Sequence, residues 1–296
     1  MFDRAKYKEI EDESWRKIPN PLGSKKLDGA NFFAVFSADG SPSFISRRPS
    51  VKGGYPDRTA SLPHLTDKKY PELAGITLNG ELIHTGFNKL NEEKHNVLSG
   101  ILNSLPPRAI ETQAKLGPAR YALHNVLNPT FNTYGEKLEF MKHVEKVIGK
   151  PDVFFVVPHH EGHEAIDRLI TKTRNDGSEG VIVTSKTLPE GKENPRFKIK
   201  HKLLYNVQVI GTIRAVDISG NPKDEMGALQ IADATGKPVG KVGTGFSRNE
   251  RIDAFKNPSS WVGRHIQVQT LGMASNALRM PVYNGDADGD LDMIPS

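Results

Sequence analysis

Two lysines, one apolar residue and an Asp-Gly pair stand together in "SKKLDGANFF", residues 24–33, directly ahead of an apolar run. A lysine becomes a nitrogen nucleophile once its ammonium loses a proton, and desolvation or neighbouring cations bring that loss toward neutral pH. Adjacent strand residues point to opposite faces, so only one of Lys25 and Lys26 can enter a given pocket. Further along come Arg47 in "FISRRPS", Glu81 in "LNGELIHTG", His124 in "RYALHNVL" and Glu179 in "SEGVIVTS". "RFKIKHK" then sets Lys198 and Lys200 two apart, which puts both on one face of a strand. Singly, each has a plainer reading: a solvated turn, strand-end carboxylates, a core histidine, an edge-strand lysine face. As an ordered set they supply a nucleophile, cations and hard oxygen ligands.

The elements that must hold these residues alternate irregularly. "NFFAVFSADGSPSFISRR" reads as a hairpin turning at Asp39-Gly40, and "GITLNGELIHTGF" as a strand pair or a strand entering a loop. "NEEKHNVLSGILNSL" has helical spacing and stops at Pro106-Pro107; "TYGEKLEFMKHVEKVIGK" is an amphipathic helix ending near Gly149. "ARYALHNVLN", "DVFFVVP", "EGVIVTS" and "RFKIKHKLL" read as strands, and "HEAIDRLITKTRND" as a helix. This is a mixed α+β domain over residues 1–205. From about Asn206, short strands broken by Gly, Asn and Asp turns predict a small β-barrel or sandwich, interrupted only by a helix in "SRNERIDAFKN".

At 296 residues, 36% hydrophobic and 25% charged, the chain is globular in composition, with room for two domains. It has no cysteine, which excludes disulfides, thiolate zinc sites and a cysteine nucleophile. No apolar run is long enough to span a membrane, and "MFDRAKYKEIEDESW" lacks the apolar core of a secretory signal, so a cytoplasmic address is expected. The net charge of +5 is uneven: residues 206–296 hold nine Lys+Arg against ten Asp+Glu, four of those acids in "NGDADGDLDMIPS". The excess positive charge therefore lies in the first part, where it suits a polyanionic partner.

The series K-x-D-G, S-R, x-G-E-L, an aromatic-type position, E-G-V-I-V and K-x-K resembles the covalent nucleotidyltransferases, most closely the compact phage-type ATP-dependent DNA ligases. "HNVLSGILNS", "GKVGTGFS" and "LRMPVY" are similar to that group too, so the likeness runs from Lys26 to Tyr283. It implies an ATP-grasp-like DNA ligase nucleotidyltransferase domain (residues 1–205) followed by an OB-fold β-barrel domain (206–296) with an acidic tail. It also implies ATP and magnesium as cofactors and nicked double-stranded DNA as partner, bound by a monomer. By the resemblance Lys26 takes up AMP as a lysyl phosphoramidate, Asp28 and Gly29 complete its motif, and Arg47 contacts phosphate. Glu81 contacts ribose or metal, Glu179 the metal, His124 the adenine, and Arg279 the pyrophosphate. Lys198 and Lys200 would lower the Lys26 pKa and stabilise the phosphoryl transition state.

The chain departs from the family pattern in several places. His124 stands where Phe or Tyr is usual, with Asn125 where an acid is common; Tyr121 is the other candidate stacker, on the opposite strand face. Asn31 and Phe32 occupy the place of a phosphate-binding arginine, and no lysine follows "LRMPVY". An RNA ligase, a capping guanylyltransferase and a non-enzymatic nucleic-acid-binding OB protein are the rival readings. In "VPHHEGHEA", His160 and His163 are one residue too close for H-E-x-x-H, so this reads as a loop entering a helix, and "DADGD" lacks the distal glutamate of a calcium loop. With only some 25 residues ahead of Lys26, the two domains are expected to grip DNA themselves and to reorient between steps.

Overall fold

Period-two apolar runs become strands here, and the helices begin and end at residues that satisfy their free backbone groups. The computed structural model describes residues 7–10, 13–50, 53–84, 91–176, 178–191, 194, 196–274 and 276–294. Two compact units are present, Met1–Lys200 and His201–Ser296.

The first unit holds strands β1 (Tyr7–Ile10), β2 (Pro21–Lys26), β3 (Ala30–Phe36), β4 (Pro42–Ser46) and β5 (Thr77–Ile83). It continues with β6 (Arg120–Asn128), β7 (Phe154–Val156), β8 (His159–Glu161), β9 (Gly180–Ser185) and β10 (Arg196–Lys200). Its helices are the single turn α1 (Pro63–Thr66), α2 (Asn91–Asn103), α3 (Pro106–Leu116), α4 (Tyr134–Ile148) and α5 (His163–Asn175). The strands form two five-stranded sheets, ordered β1-β10-β9-β2-β8 and β4-β3-β5-β6-β7. A large apolar core, including Phe44, Leu78, Tyr121, Leu123, Met141 and Phe154, packs on the second sheet. Trp15, Ile18, Ile166, Leu169, Val181 and Val183 fill the space between the first sheet and α5.

The hairpin at Asp39-Gly40 forms as expected, Gly40 having φ 78°. The Glu81 strand forms too, but "TGFNKL" after it lies outside the described residues. At Pro106-Pro107 the expected helix end is followed by α3, which the prolines open: at the first helical positions proline forfeits no hydrogen bond and has its φ preset. His159–Glu161 is a strand rather than a loop, paired with Leu22–Ser24.

The second unit contains β11 (Leu203–Val216), β12 (Pro222–Ala232), β13 (Pro238–Val242), α6 (Arg248–Lys256), β14 (His265–Thr270), the short pair β15 (Met273–Ala274) and β16 (Ala277–Leu278), and β17 (Val282–Asp286). Its five-stranded antiparallel sheet is ordered β13-β12-β11-β14-β17, and a single bridge, Thr244 to Val282, links the chain just past β13 with β17. "RFKIKHKLL" is not one strand: β10 closes the first unit at Lys200, and Leu203 opens β11 of the second. The acidic tail is docked, since the Asp292 backbone nitrogen donates to the Asn206 carbonyl, its carbonyl accepts from the Ala234 nitrogen, and Ile294 is buried. Among the described residues no helix is long and apolar enough to cross a membrane.

Candidate active site

Strand β2 delivers Lys26 at its last position, and the turn Leu27–Gly29 carries the chain across to β3 in the other sheet. Gly29 lies so close to the backbone carbonyl of Leu82 that any Cβ there would overlap it. Gly180, after Glu179, has φ 147° and lies against the Ile199 carbonyl, a place where a side chain meets both strain and collision. The glycines of both motifs thus hold strands at close approach. Lys25 is exposed and Lys26 half-buried, but against the expectation from alternation both line the same cavity, because β2 is buried on both faces as far as Ser24 and ends at Lys26. The Lys26 ammonium is ion-paired with Glu179, whose side chain is 12% exposed.

Lys26 opens into a cavity that Arg47, Glu81, His124 and Lys198 also line, together with Asn31, Tyr134, His159, Thr184 and Arg196. Five of the lining side chains are basic (Lys25, Lys26, Arg47, Arg196 and Lys198) against the single acid Glu81, a balance suited to a polyanionic ligand. Lys200, Asp28 and Glu179 are not part of the lining, although Glu179 reaches it through Lys26. Arg279 belongs to the second unit, where its backbone nitrogen donates to the Gly272 carbonyl at 2.8 Å; every lining residue comes from the first. Tyr121 is fully buried in the core, its hydroxyl donating to the Phe32 carbonyl at 3.1 Å, so of the two candidate stackers only His124 reaches the cavity.

Glu81 accepts from Asn31 Nδ2 at 3.0 Å. Burial pushes its carboxyl up to about 7, against the opposing pull of the Asn31 bond, Lys26 and Arg47. Burial and then the Arg196 charge push His124 down to about 3, and burial brings His159 to about 4. Both rings are therefore neutral at pH 7, and each has a buried Nδ1 with no hydrogen-bond partner among the described residues.

Arg196, His159 and Tyr134 are the residues the sequence reading did not select. Arg196 sits two before Lys198, so the alternation that singles out Lys198 and Lys200 also points to it. Its guanidinium donates to Asn125 Oδ1 at 2.8 Å, lies 4.9 Å from the Tyr134 ring centroid and faces Glu190 at 3.6 Å. Lys137 from α4 donates to the same Asn125 oxygen at 3.2 Å and to Glu190 at 2.5 Å. The Tyr134 hydroxyl bridges the His124 carbonyl at 3.2 Å and His159 Nε2 at 3.0 Å. A buried polar network thus fixes one wall of the cavity from behind.

No group of three or more His, Asp or Glu positioned to hold a metal occurs among the described residues. A magnesium ion, which takes one or two carboxylates and completes its shell with phosphate oxygens and water, would have to draw them from Glu81, which lines the cavity, and Glu179, which is paired with Lys26.

No protein-family model matches the chain, and no curated protein matches it in sequence. In fold it is similar to a structure of the Lig E DNA ligases, with 19% identity over 90% of this chain and 92% of that one and a TM-score of 0.66. It is also similar to Pmar-Lig PreS3 (14% identity, TM-score 0.67) and Pmar-Lig Pre (15%, TM-score 0.68), covering 95% and 92% of this chain but 67% and 64% of theirs. The chain therefore has the two-part fold of those ligases.

Proposed function

We propose that this protein is an ATP-dependent DNA ligase that seals nicks between 3′-hydroxyl and 5′-phosphate ends through a lysyl-AMP intermediate. The observation that carries the reading is Lys26, paired with Glu179 at the mouth of a cavity lined by Arg47, Arg196 and Lys198. The cyclic strand order of the second unit, β11-β12-β13-β17-β14, with α6 between β13 and β14, supports an OB-fold barrel after a nucleotidyltransferase domain.

In the first step Lys26 Nζ forms a bond to the α-phosphorus of ATP while the bond to the β-phosphate oxygen breaks and pyrophosphate leaves. The proton that Nζ must shed has an acceptor in the Glu179 carboxylate already paired with it. Lys198, Arg47 and Arg196 offer fixed positive charge to the phosphates. His124 and His159 offer neutral rings to the base. Glu81 and Glu179 are the carboxylates that would hold a magnesium ion, which would supply further charge neutralisation of the triphosphate. Arg279 is the residue proposed to orient the departing pyrophosphate. A 5′-phosphate oxygen then takes AMP from Lys26, whose nitrogen regains its proton, and the 3′-hydroxyl displaces AMP to join the strands.

Intact-mass measurement after incubation with magnesium and, separately, ATP, GTP or NAD tests the reading, on wild type and Lys26→Ala. The expected result is one AMP gained from ATP alone and none in the variant, followed by sealing of nicked DNA. A GMP adduct would instead identify a capping-type enzyme, and no adduct with any nucleotide would overturn the assignment of Lys26.

A further inference from the structure

A second cavity adjoins the first. It shares Lys25, Leu27 and Val157 with it and extends to Phe155, Pro158, His160 and the α5 face carrying Ala165, Arg168, Leu169 and Lys172. Its floor is apolar: Leu169 and Val157 are buried and Phe155 half-buried. Its rim is basic, with exposed Lys25, Arg168 and Lys172 contributed by two separate elements and one acid, Asp176, at the far end. Arg168 and Lys172 are one helical turn apart and so share a face. Arg168 faces Glu164 at 3.7 Å, but both side chains are more than 70% exposed, so that pair holds the guanidinium weakly.

Lys26 lines only the first cavity whereas Lys25 lines both, so the two adjacent lysines join two neighbouring anion-attracting surfaces. We propose that the second cavity is a phosphodiester-backbone site, in which Lys25, Arg168 and Lys172 hold the nucleic-acid strand that leads to the nick. This rests on the ligase reading above and adds which surface the strand follows. Basic groups on a rim around an apolar floor suit phosphates and the sugars between them. Arg168 and Lys172 line only this second cavity, so their charges are not used in the attack of Lys26 on a nucleotide.

The test compares wild type with Arg168→Glu/Lys172→Glu and Arg168→Ala/Lys172→Ala, leaving Lys25 in place. Binding of a nicked duplex with a 3′-deoxy end, which cannot be sealed, is titrated over a range of salt. Formation of the ATP adduct is followed by mass, and circular dichroism reports folding. The expected result is binding weakened about tenfold or more in the charge-reversed protein and a salt slope reduced by about two in the alanine protein, as loss of two phosphate contacts requires. Adduct formation stays at the wild-type rate. Unchanged affinity and slope would overturn the site while leaving the enzyme reading intact; so would a wild type that binds no nicked duplex at all. Absence of the adduct with DNA binding still lost in the variants would overturn the ligase reading and keep the site.

Discussion

Glu81 is the residue whose environment makes the sharpest demand. Its carboxyl, pushed up to about 7 by burial, holds its proton in the folded chain over a range in which the unfolded chain, titrating near 4.5, has released it. The fold therefore binds more protons than the unfolded state between these values. The group's stabilising contribution is full below about 4.5 and is lost as pH rises through 7, a difference on the order of 3 kcal/mol at most. Glu81→Gln keeps the contact with Asn31 and removes the titration, so denaturant midpoints of the variant should fall less than those of wild type between pH 5 and pH 8. Parallel pH profiles for the two proteins would show that Glu81 is ionised throughout. At this scale the sequence was informative where chemistry and spacing coincide: Lys26, Arg47, Glu81, His124 and Lys198 all line one cavity. It was silent on Tyr134 and His159, because a helix-opening tyrosine and a histidine in "PHHEGH" acquire meaning only when Tyr134 Oη and His159 Nε2 meet at 3.0 Å.

The elements that carry these side chains are held by local devices, several of which can be read in the sequence. Helix α4 opens with a capping box, Thr133 accepting from the Glu136 backbone at 3.2 Å while Glu136 reaches back to the Thr133 nitrogen, and it ends at Gly149 with φ 65°. Its apolar stripe Leu138, Met141, Val144 and Ile148 faces the core, and its first turn places Tyr134 in the cavity lining and Lys137 behind it. Thr133→Ala should cost about 1 kcal/mol by loss of the cap. Because that turn holds the Tyr134–His159 and Lys137–Asn125 contacts, nucleotide affinity should fall with it; thermal melts and nucleotide titration of the variant check both, and a loss of stability with unaltered affinity would confine the cap to folding. The strand pattern, the hairpin turn and most helices were legible because their periodicity is strong. Helix α3 was not, since Pro106-Pro107 ends one helix and begins the next, and the same letters serve both. The β10–β11 break was hidden too, because "RFKIKHKLL" keeps a strand-like texture across a unit boundary.

At the scale of the whole molecule, each described apolar cluster lies within one of the two units, so each has its own core. The second core includes Val209, Ile231, Trp261 and Ile266 and is capped by Ile294 from the chain's last turns. All residues lining the cavity, by contrast, come from the first unit. A nucleotide that binds there stabilises the unit that holds it by about 2.7 kcal/mol at a hundredfold excess over its Kd. Calorimetry without magnesium, where no adduct accumulates, should therefore show ATP raising the melting of the first unit. Ile294→Ala removes a buried side chain from the second core at a cost of about 2–4 kcal/mol, and should lower a different transition while leaving the ATP-induced shift intact. The two perturbations together assign the transitions: one moves with ligand, the other with the tail. If ATP raised the transition that Ile294→Ala lowers, and only that one, the nucleotide would be bound by the second unit, and the assignment of the Lys26 cavity as its site would fall.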